Sequence, residues 1–368
     1  MRILFLNWKD KKNPLAGGAE IVTEELLKRL ADNGHRATLL TARFKGCKTR
    51  EIIDGYEIIR VGGGWSVYWR AYRYYKKNLA GKFDLVIDEV NTIPFFAKFY
   101  VKGKNILFIH QLCREIWFYQ MFFPLNFIGY LAESIYLRLL RDKKVVTVSD
   151  STKKDLLKYG FREENIYIIS EGIEIEPLGD LPPAEEIKEK NPTILFLGAV
   201  RPMKRPDHVI RAFERAKQNL GDLKLWLVGG GRGRYFKKVM GLIKDCAFRD
   251  DIIYFGKAGQ EKKIELMRRA HLSCAASVKE GWGLVVTEAN SQGTPAVVYD
   301  VDGLRDAVEN NITGAVCFRN TPEDLAENVR RLLNDRDKYE NLRINAWRRS
   351  QEINFENSYE DFLRAIID

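Results

Sequence analysis

The chain has 368 residues, of which 45% are hydrophobic and 30% are charged. This is the composition of a soluble globular protein, and the length exceeds what one hydrophobic core usually supports, which argues against a single domain. The net charge of +10 is concentrated in residues 1–175, which carry +9, whereas residues 176–368 carry +1. The basic half is therefore expected to meet an anionic partner, such as membrane lipid, a phosphate-bearing acceptor or nucleic acid.

Cysteine usage and the first residues bear on the cellular compartment. The five cysteines are scattered, odd in number and form no C-x-x-C pair. This argues against a disulfide framework or a zinc site and is typical of a reducing compartment. The apolar run at residues 3–6 is too short for the core of a signal peptide and predicts a first strand. We expect a cytoplasmic protein, with the cytosolic face of a membrane as a further location.

Short apolar runs alternate with amphipathic stretches through the first half of the chain. Apolar residues at helical spacing predict a helix over residues 17–33, directly after the first strand. Further strands are predicted at 37–41, 56–61, 85–88, 106–110 and 145–149. Alternation of this kind implies a parallel sheet covered by helices on both faces.

The pattern restarts after a stretch rich in Pro, Glu and Lys near residues 171–192. Strands are then predicted at 194–197, 225–228, 252–255, 272–275, 296–299 and 314–317, and helices at 207–219, 234–245, 261–270, 284–292, 303–309, 322–334 and 336–348. We predict two α/β Rossmann-like domains that face a cleft, at residues 1–173 and 174–349, with a helix over 350–368 that packs back on the first domain. Open parallel sheets bind ligands at the carboxyl ends of their strands.

The segment Glu280-Gly281-Trp282-Gly283-Leu284-Val285-Val286-Thr287-Glu288 lies between a predicted strand and a predicted helix. Two glycines at such a junction let the backbone approach a ligand, and the start of the helix offers free N–H groups to an anion. The carboxylates at its two ends can point toward opposite ends of one ligand. A capped helix with a surface glutamate is the purely structural alternative.

A second loop follows the first strand of the second half and contains Arg201-Pro202-Met203-Lys204. Arginine grips phosphate in a bidentate manner and lysine supplies a compact charge, so these two cations can hold a diphosphate and neutralise it as it leaves. A solvated basic loop is the common alternative for any single Arg-x-x-Lys. A glycine run at 229–231 follows the next strand at the same sheet edge.

These elements, together with a Gly-Gly loop at Gly17 and Gly18, resemble the retaining family 4 glycosyltransferases of GT-B fold over essentially the whole chain. The resemblance implies that Glu288 binds ribose hydroxyls, that Glu280 lies near the donor sugar, and that Arg201 and Lys204 clamp the diphosphate. The backbone amides that would meet the sugar hydroxyls and the diphosphate belong to Gly281, Trp282, Gly283, Leu284 and Val285.

In the first half, the resemblance places Gly17 and Gly18 beside the phosphates and the acceptor. His110 ends a predicted strand and matches a histidine beside the donor sugar, where it is expected to donate a hydrogen bond; a strand-end histidine taken alone is as often structural. Ser149 matches a strand-end serine of the family. The resemblance also implies a reaction without metal or cofactor, because the two cations do the electrostatic work that a metal does in other transferases.

The implied mechanism is front-face retention, in which the departing diphosphate helps to deprotonate the acceptor hydroxyl while an oxocarbenium-like species forms. No dedicated nucleophile is evident, and Glu280 is the one carboxylate considered for that role, after its role in binding the sugar. Family frequency favours mannose or glucose as the sugar, and a lipid-linked or glycan acceptor is expected. The motifs identify neither the nucleobase nor the acceptor.

Two positions depart from the family pattern. Glu171-Gly172-Ile173-Glu174 stands where Asn-Gly-Ile/Val-Asp is usual, and Asp302-Gly303 stands where a Gly-Gly pair is common. The second departure creates Asp300-Val301-Asp302, formally a D-x-D motif. A metal-binding D-x-D belongs to a different transferase fold and two acids in a turn are usually solvated, so we expect no metal there.

Two further stretches bear on membrane contact. Residues 65–82 interleave aromatic side chains with Arg and Lys, which is typical of a membrane interface and also of single-stranded nucleic-acid binding. Residues 116–132 carry no charge, but polar interruptions and a position between two predicted strands argue against a transmembrane helix. This stretch is either a buried helix pair or an exposed surface that receives a hydrophobic acceptor or dips into a monolayer.

Three classes of function are considered. The first is the transferase; the second is another soluble enzyme on the same fold, such as a sugar-nucleotide epimerase or a sugar-phosphate transferase. The third, a nucleic-acid-binding protein, rests on charge and aromatic content alone and leaves the arginine–lysine loop and the paired glutamates unexplained, so no nucleic-acid partner is expected. A nicotinamide dehydrogenase is disfavoured because no G-x-G-x-x-G follows the first strand.

Overall fold

A computed structural model describes residues 1–367 of the chain. The chain divides into two compact units. Unit 1 comprises residues 1–117, 121–172 and the segment from residue 355 onward, and unit 2 comprises residues 118–120 and 173–354. Each unit contains one predominantly parallel sheet with helices, which confirms the predicted α/β class with two Rossmann-like units.

Fourteen strands form the two sheets within the described residues. They are β1 (Arg2–Leu6), β2 (Arg36–Arg43), β3 (Arg50–Ile53), β4 (Tyr56–Gly63), β5 (Leu85–Glu89), β6 (Lys104–Ile109), β7 (Val145–Thr147), β8 (Ile166–Ile168), β9 (Thr193–Leu197), β10 (Lys224–Val228), β11 (Ile252–Gly256), β12 (Leu272–Ala275), β13 (Ala296–Val298) and β14 (Gly314–Val316).

The α-helices surround these sheets. They are α1 (Gly18–Asp32), α2 (Ser66–Tyr74), α3 (Trp117–Gln120), α4 (Leu125–Leu140), α5 (Asp150–Lys158), α6 (Ala184–Ile187), α7 (Pro206–Lys217), α8 (Gly233–Asp245), α9 (Gln260–Arg269), α10 (Leu284–Ser291), α11 (Pro322–Asn334), α12 (Arg336–Glu352) and α13 (Phe355–Ile367). A π-helical turn, Tyr75–Leu79, extends α2.

The sheet of unit 1 has the strand order β3-β4-β2-β1-β5-β6-β7-β8. All neighbouring strands are parallel except β3, which pairs with β4 in the antiparallel sense. The apolar residues of β1 are fully buried because helices cover both faces of the sheet. The chain leaves β1 toward β2 on one side and returns to β5 on the other, so the topological switch point lies between β1 and β5.

The C-terminal helix α13 belongs to unit 1. The ring of Phe362 lies 5.9 Å from that of Phe5 and 6.4 Å from that of Phe108, both on the sheet. Lys104 Nζ donates a hydrogen bond to the carbonyl of Ile366 over 2.7 Å. Aromatic packing and a cation at the helix C-terminus therefore hold this last helix against the sheet of unit 1.

The sheet of unit 2 has the order β11-β10-β9-β12-β13-β14 and is parallel throughout. Its central strand β9 lies between β10 and β12, so the switch point of this unit is at β9 and β12. A continuous apolar core that includes Ile194, Phe213, Val286 and Tyr299 joins this sheet to α7, α10 and α11.

The predicted helix at residues 303–309 is wrong, because this segment consists of turns. The Asp306 carboxylate accepts the amide hydrogen of Gly303 over 2.8 Å, and such local side-chain bonds compete with helical hydrogen bonds. The short strands β3 and β8 were not predicted from the sequence. They have four and three residues, respectively, and give too little alternation to be recognised.

The uncharged stretch at 116–132 is divided between interior and surface. Trp117 is buried, and a Cβ atom on Gly129 would lie 2.5 Å from its ring, so the buried interpretation holds for this contact. It is wrong for the remainder, because Phe122 and Phe123 are 89% and 83% exposed, respectively, and α4 carries further exposed apolar side chains. No helix within residues 1–367 is long and apolar enough to cross a bilayer.

Candidate functional site

Two loops at the carboxyl edge of the unit 2 sheet are paired through their backbones. The amide of Gly198, after β9, donates to the carbonyl of Val228, and the amide of Val200 donates to the carbonyl of Gly230, each over 2.9 Å. A Cβ atom on Gly229 would lie only 1.8 Å from the carbonyl oxygen of Gly198. The glycine run after β10 is thus explained by the close approach of the loop that carries the arginine–lysine motif.

Lys204 and Glu280 meet in an ion pair, with Lys204 Nζ on Glu280 Oε1. Their side chains are 17% and 14% exposed, so the pair lies at the edge of the interior. Arg201 is exposed and forms no ion pair within the described residues. The structure therefore brings the predicted cation and the first glutamate together and leaves Arg201 available to an anionic ligand.

Helix α10 begins at the glycine predicted to allow close backbone approach. Gly283 caps the helix with a φ of 92°, a left-handed conformation that favours glycine. The amides of Leu284 and Val285 open the helix and have no acceptor in its own hydrogen-bond ladder, which makes them donors to an anion. The indole of Trp282 donates to Thr287 Oγ1 over 3.0 Å, so it braces the helix start.

Glu288 lies one turn into α10. Burial raises the pKa of its carboxyl to about 7; Lys263 and Lys204 partly offset this, and Glu174 adds to it. The carboxyl is therefore partly protonated at neutral pH, so it can both donate and accept hydrogen bonds. Either protonation state can bond a ribose diol, because a hydroxyl both donates and accepts hydrogen bonds.

The two acids of the formal D-x-D motif are held by cations. Asp302 pairs with Lys279 over 2.5 Å and also with Arg305, and Asp300 pairs with Arg305 over 2.5 Å. Burial raises the pKa of Asp302, but the ion pairs with Lys279 and Arg305 outweigh this effect and leave the pKa below its ordinary value. These carboxylates are thus part of an ion-pair network in the loop that follows β13.

A buried polar cluster occupies the switch point of unit 1. The Gly17 amide, at the N-cap of α1, donates to Glu20 Oε2 over 2.6 Å. The other oxygen of this buried carboxylate lies 3.2 Å from Lys9 Nζ and accepts a 3.3 Å hydrogen bond from Asn91. Gly17 and Gly18 are therefore at the start of a helix, as predicted, and the helix start is tied to the loops after β1 and β5.

His110 follows β6 in the same cluster and contacts two carboxylates. Its Nδ1 lies 3.0 Å from Glu171 Oε1, and its Nε2 lies 3.3 Å from Glu89 Oε1. Thr23 Oγ1 donates to the same oxygen of Glu89 over 2.7 Å. Burial by itself lowers the pKa of His110, but Glu171 and Glu89 outweigh this effect and raise it to about 9. A pKa of about 9 favours the imidazolium form at neutral pH, in which both ring nitrogens carry a hydrogen.

Three buried polar atoms near this point have no hydrogen-bond partner within the described residues. They are Asn7 Nδ2, Glu89 Oε2 and Gln111 Oε1. Native proteins satisfy nearly all buried polar atoms, and a concentration of exceptions marks functional positions. The edge of the sheet between β1 and β6 is therefore the ligand-binding candidate of unit 1.

Ser149 has a structural role. Its Oγ caps α5 by accepting the amide of Thr152 over 3.2 Å, and its side chain is buried. Thr152 Oγ1 in turn donates to the carbonyl of His110 over 3.2 Å. The serine therefore holds the backbone that carries His110.

The carboxylates and amides that surround His110 were not predicted from the sequence. Asn7 directly follows β1, Glu89 is the last residue of β5 and Asn91 comes two residues later; polar residues at strand ends are the signal that could have found them. Glu171 was noted only as a departure from a pattern. Its contact with His110 depends on tertiary structure, since the two residues are 61 positions apart.

Two family models match the chain. Residues 16–177 match the model described as Glycosyltransferase Family 4, and residues 180–349 match the model described as Glycosyl transferases group 1. The matches follow one another along the chain and cover most of its length. The chain belongs to the family 4 glycosyltransferases.

Curated relatives of this family 4 glycosyltransferase are distant. It is 25% identical to N-acetyl-alpha-D-glucosaminyl L-malate synthase of Bacillus anthracis, over 95% of this chain and 96% of that protein. It is also 25% identical to D-inositol 3-phosphate glycosyltransferase of Nocardia farcinica, over 61% of this chain. The match spans only 52% of the Nocardia protein, about half its length.

Solved structures share the GT-B fold. WaaG, a glycosyltransferase involved in lipopolysaccharide biosynthesis, aligns with a TM-score of 0.76 at 20% identity, over 99% of both chains. Anabaena Alr3699/HepE in complex with UDP-glucose aligns with a TM-score of 0.74 at 17% identity, over 100% of this chain and 99% of that one. The predicted GT-B architecture is confirmed.

We predict that His110 can be distinguished by its titration. It is the one histidine of the four whose pKa is raised; the pKa values of His35, His208 and His271 are lowered, chiefly by burial. In an NMR titration, one imidazole should titrate near pH 9. Glu171→Gln should lower that pKa by about one to three pH units, because the ring loses one of its two carboxylates.

Glu164→Gln, at an exposed position of the same unit, is the control and should leave the titration unchanged. Because the pKa of His110 is above its ordinary value of 6.5, its stabilisation of the fold is complete below pH 6.5 and is lost as pH rises through 9. If all four histidines titrated below pH 7, His110 would not be an imidazolium stabilised by two carboxylates.

Proposed function

We propose that this chain is a metal-independent, retaining glycosyltransferase that moves a hexose from a nucleoside diphosphate sugar to a lipid-linked or glycan acceptor. The observation that carries the proposal is the grouping of Arg201, Lys204 and Glu280 with the free amides at the start of α10. Two cations and a helix N-terminus at one sheet edge are suited to a diphosphate.

The leaving group is the first part of the chemistry. The bond between the anomeric carbon and the diphosphate oxygen breaks, and negative charge develops on the diphosphate. Arg201 and Lys204 stabilise that charge, most strongly in the transition state. When the diphosphate binds, Lys204 donates hydrogen bonds to it and gives up part of its contact with Glu280. The Glu280 carboxylate then accepts a hydrogen bond from a hydroxyl of the donor sugar.

The acceptor is activated on the same face. Its hydroxyl proton passes to the departing diphosphate, and the new glycosidic bond forms on the face that the diphosphate leaves, so the anomeric configuration is retained. Glu280 is assigned to a hydroxyl of the donor sugar and not to the anomeric carbon, so we favour this front-face route over a covalent intermediate.

The donor is assigned by class. Glu288 has a pKa of about 7 and is suited to a ribose diol. Alr3699/HepE is described in complex with UDP-glucose, and the Bacillus anthracis relative is named for an N-acetylglucosaminyl product, so both names point to hexoses. A glucose-type hexose is therefore favoured over mannose.

Titration with nucleoside diphosphates tests the donor assignment. GDP, UDP, ADP and dTDP are added without metal while the melting temperature Tm is followed, and one of them should raise Tm selectively. Glu288→Ala should weaken that binding about 10- to 100-fold, because hydrogen bonds to the ribose are lost. Glu261→Ala, at an exposed glutamate of the same unit, is the control. Stabilisation by single-stranded RNA and by none of the diphosphates would refute the transferase.

Turnover tests the leaving-group assignment. Arg201→Gln and Lys204→Gln should each lower kcat by about 100-fold or more, because charge stabilisation in the transition state is lost. Arg249→Gln and Lys237→Gln remove one charge each from exposed positions of the same unit and should not change kcat. Full turnover in both Arg201→Gln and Lys204→Gln would show that these two cations do not stabilise the leaving group.

The acceptor proposal rests on an exposed apolar face of unit 1. The face is formed by the loop before α4 and by one side of that helix, and its members are 48–89% exposed: Phe122, Phe123, Phe127, Ile128, Leu131, Ile135 and Leu139. The exposed cations Arg138 and Arg141 flank it. Apolar side chains bordered by cations match an anionic bilayer surface, and the +9 charge of the first half adds long-range attraction. We propose peripheral binding of this face to a membrane that carries the acceptor.

Vesicle flotation tests the membrane contact. Ile128→Gln with Ile135→Gln should reduce binding to phosphatidylglycerol vesicles at least about tenfold, because two apolar side chains no longer enter the bilayer. The matched control is Ile253→Gln with Ile312→Gln, two similarly exposed isoleucines of unit 2. Equal binding by both double variants would exclude this face.

A soluble anionic acceptor is the second candidate. Two relatives are named for D-inositol 3-phosphate and L-malate, both small anions. Normal turnover of a soluble acceptor by the Ile128→Gln/Ile135→Gln variant, with no requirement for vesicles, would favour this alternative.

A further inference from the structure

A cavity of about 1000 Å³ lies within unit 1, at the end of the sheet formed by β3 and β4. Its walls come from the carboxyl ends of β2 and β4, the start of β3, helix α2 and the π-helical turn that follows. This volume is at the upper end of the range for small-molecule sites, so the cavity can hold more than a single ion.

The charges that line this cavity are all positive. Arg43, Arg50 and four cations of the helix contribute, and no carboxylate is among the lining residues. Arg50 pairs with Glu57, and Arg43 donates to the carbonyl of Arg60. The four helical cations form no ion pair within residues 1–367: Arg70, Arg73, Lys76 and Lys77.

The spacing of these four cations is unfavourable for the isolated protein. Arg73 has a like charge three residues before it, at Arg70, and like charges three and four residues after it, at Lys76 and Lys77. Like charges at such spacing destabilise a helix. All four side chains are exposed and are screened by solvent alone, so an anion that enters the cavity would relieve the repulsion and gain several charge-assisted hydrogen bonds.

Aromatic rings lie beside these cations. Trp69 is 60% exposed, its ring lies 5.6 Å from that of Tyr72, and Arg73 stacks over it at 5.7 Å. The indole of Trp69 is exposed and the phenol of Tyr72 is half-buried, and both ring types stack on the apolar faces of sugar rings. The backbone at Tyr75–Leu79 is π-helical, a local irregularity that is frequent at functional sites.

We infer that this cavity binds a phosphorylated saccharide. Guanidinium and ammonium groups would take the phosphate, and Trp69 and Tyr72 would take the sugar ring. The inference rests on the proposed function, because it makes the ligand the distal part of the acceptor. The phosphorylated saccharide is either free in solution or carried on a lipid headgroup.

The position of the cavity fits a part of the acceptor that is remote from the reaction. The strand order from β4 to β6 contains four inter-strand steps, which correspond to about 19 Å along the edge that also carries His110. A ligand in the cavity is therefore too far from His110 to be the reacting hydroxyl. Binding there would contribute affinity for a large anionic acceptor and leave donor binding unchanged.

Calorimetric titration of the full chain tests the inference directly. The probes are a mannopentaose phosphate, the unphosphorylated mannopentaose, and phosphatidylcholine vesicles with and without phosphatidylinositol 4-phosphate. The test variant is Arg73→Gln with Lys77→Gln. The control is Arg36→Gln with Lys28→Gln, which removes the same charges from exposed positions of the same unit.

We expect the pentaose phosphate or the phosphoinositide vesicles to bind, and whichever binds identifies the source. That affinity should fall about 100-fold in the test variant and be unchanged in the control. Equal binding of the phosphorylated and unphosphorylated sugars, or equal losses in both variants, would overturn the inference. Single-stranded RNA that binds the wild type more tightly than either phosphorylated probe, and loses that affinity only in the test variant, would also overturn it.

Nucleoside diphosphate binding is measured in the same samples and reports on the proposed transferase separately. Loss of phosphorylated-sugar binding with normal diphosphate binding in Arg73→Gln/Lys77→Gln would support the cavity. Absence of phosphorylated-sugar binding in a wild type that binds a diphosphate would refute the cavity and leave the transferase standing.

Discussion

Parallel strand pairing is the constraint on which both candidate ligand sites depend. When neighbouring strands run in the same direction, their carboxyl ends all emerge at one edge of the sheet. In unit 1 this places Asn7, Glu89 and His110 side by side, although they lie at the ends of three different strands. In unit 2 it aligns the loops after β9, β10 and β12, which brings Lys204 to Glu280. Helices that cover both faces of each sheet leave this edge as the place where polar groups can gather.

The two units differ in how far buried charge is compensated by a nearby opposite charge. In unit 1 a histidine lies between two carboxylates, so charge is compensated internally and the imidazolium form is favoured. In unit 2 the buried Glu288 has no comparably close cation, and its pKa is raised to about 7. Incomplete compensation leaves Glu288 able to change its protonation when a ligand arrives.

The uneven distribution of charge along the chain has a structural counterpart. Some of the excess cations in the first half line the cavity beside α2, and others flank the apolar face of α4. Both features are on unit 1, which in our proposal receives the acceptor. Unit 2, with a net charge of about +3, has a few cations placed on one loop. The first arrangement suits an extended anionic partner, and the second suits a compact diphosphate.

The sequence by itself determined the α/β class, nearly all strands, the arginine–lysine loop and the glutamate pair, because these depend on local periodicity and on residues close together in the chain. Only the tertiary structure decided the surroundings of His110, since Glu171 reaches it from 61 residues away and burial sets its charge. It also decided which side of α4 faces water and that the α2 cations line a cavity. Apolar and basic runs have the same sequence whether they are buried or exposed, and only packing against neighbours distinguishes the two.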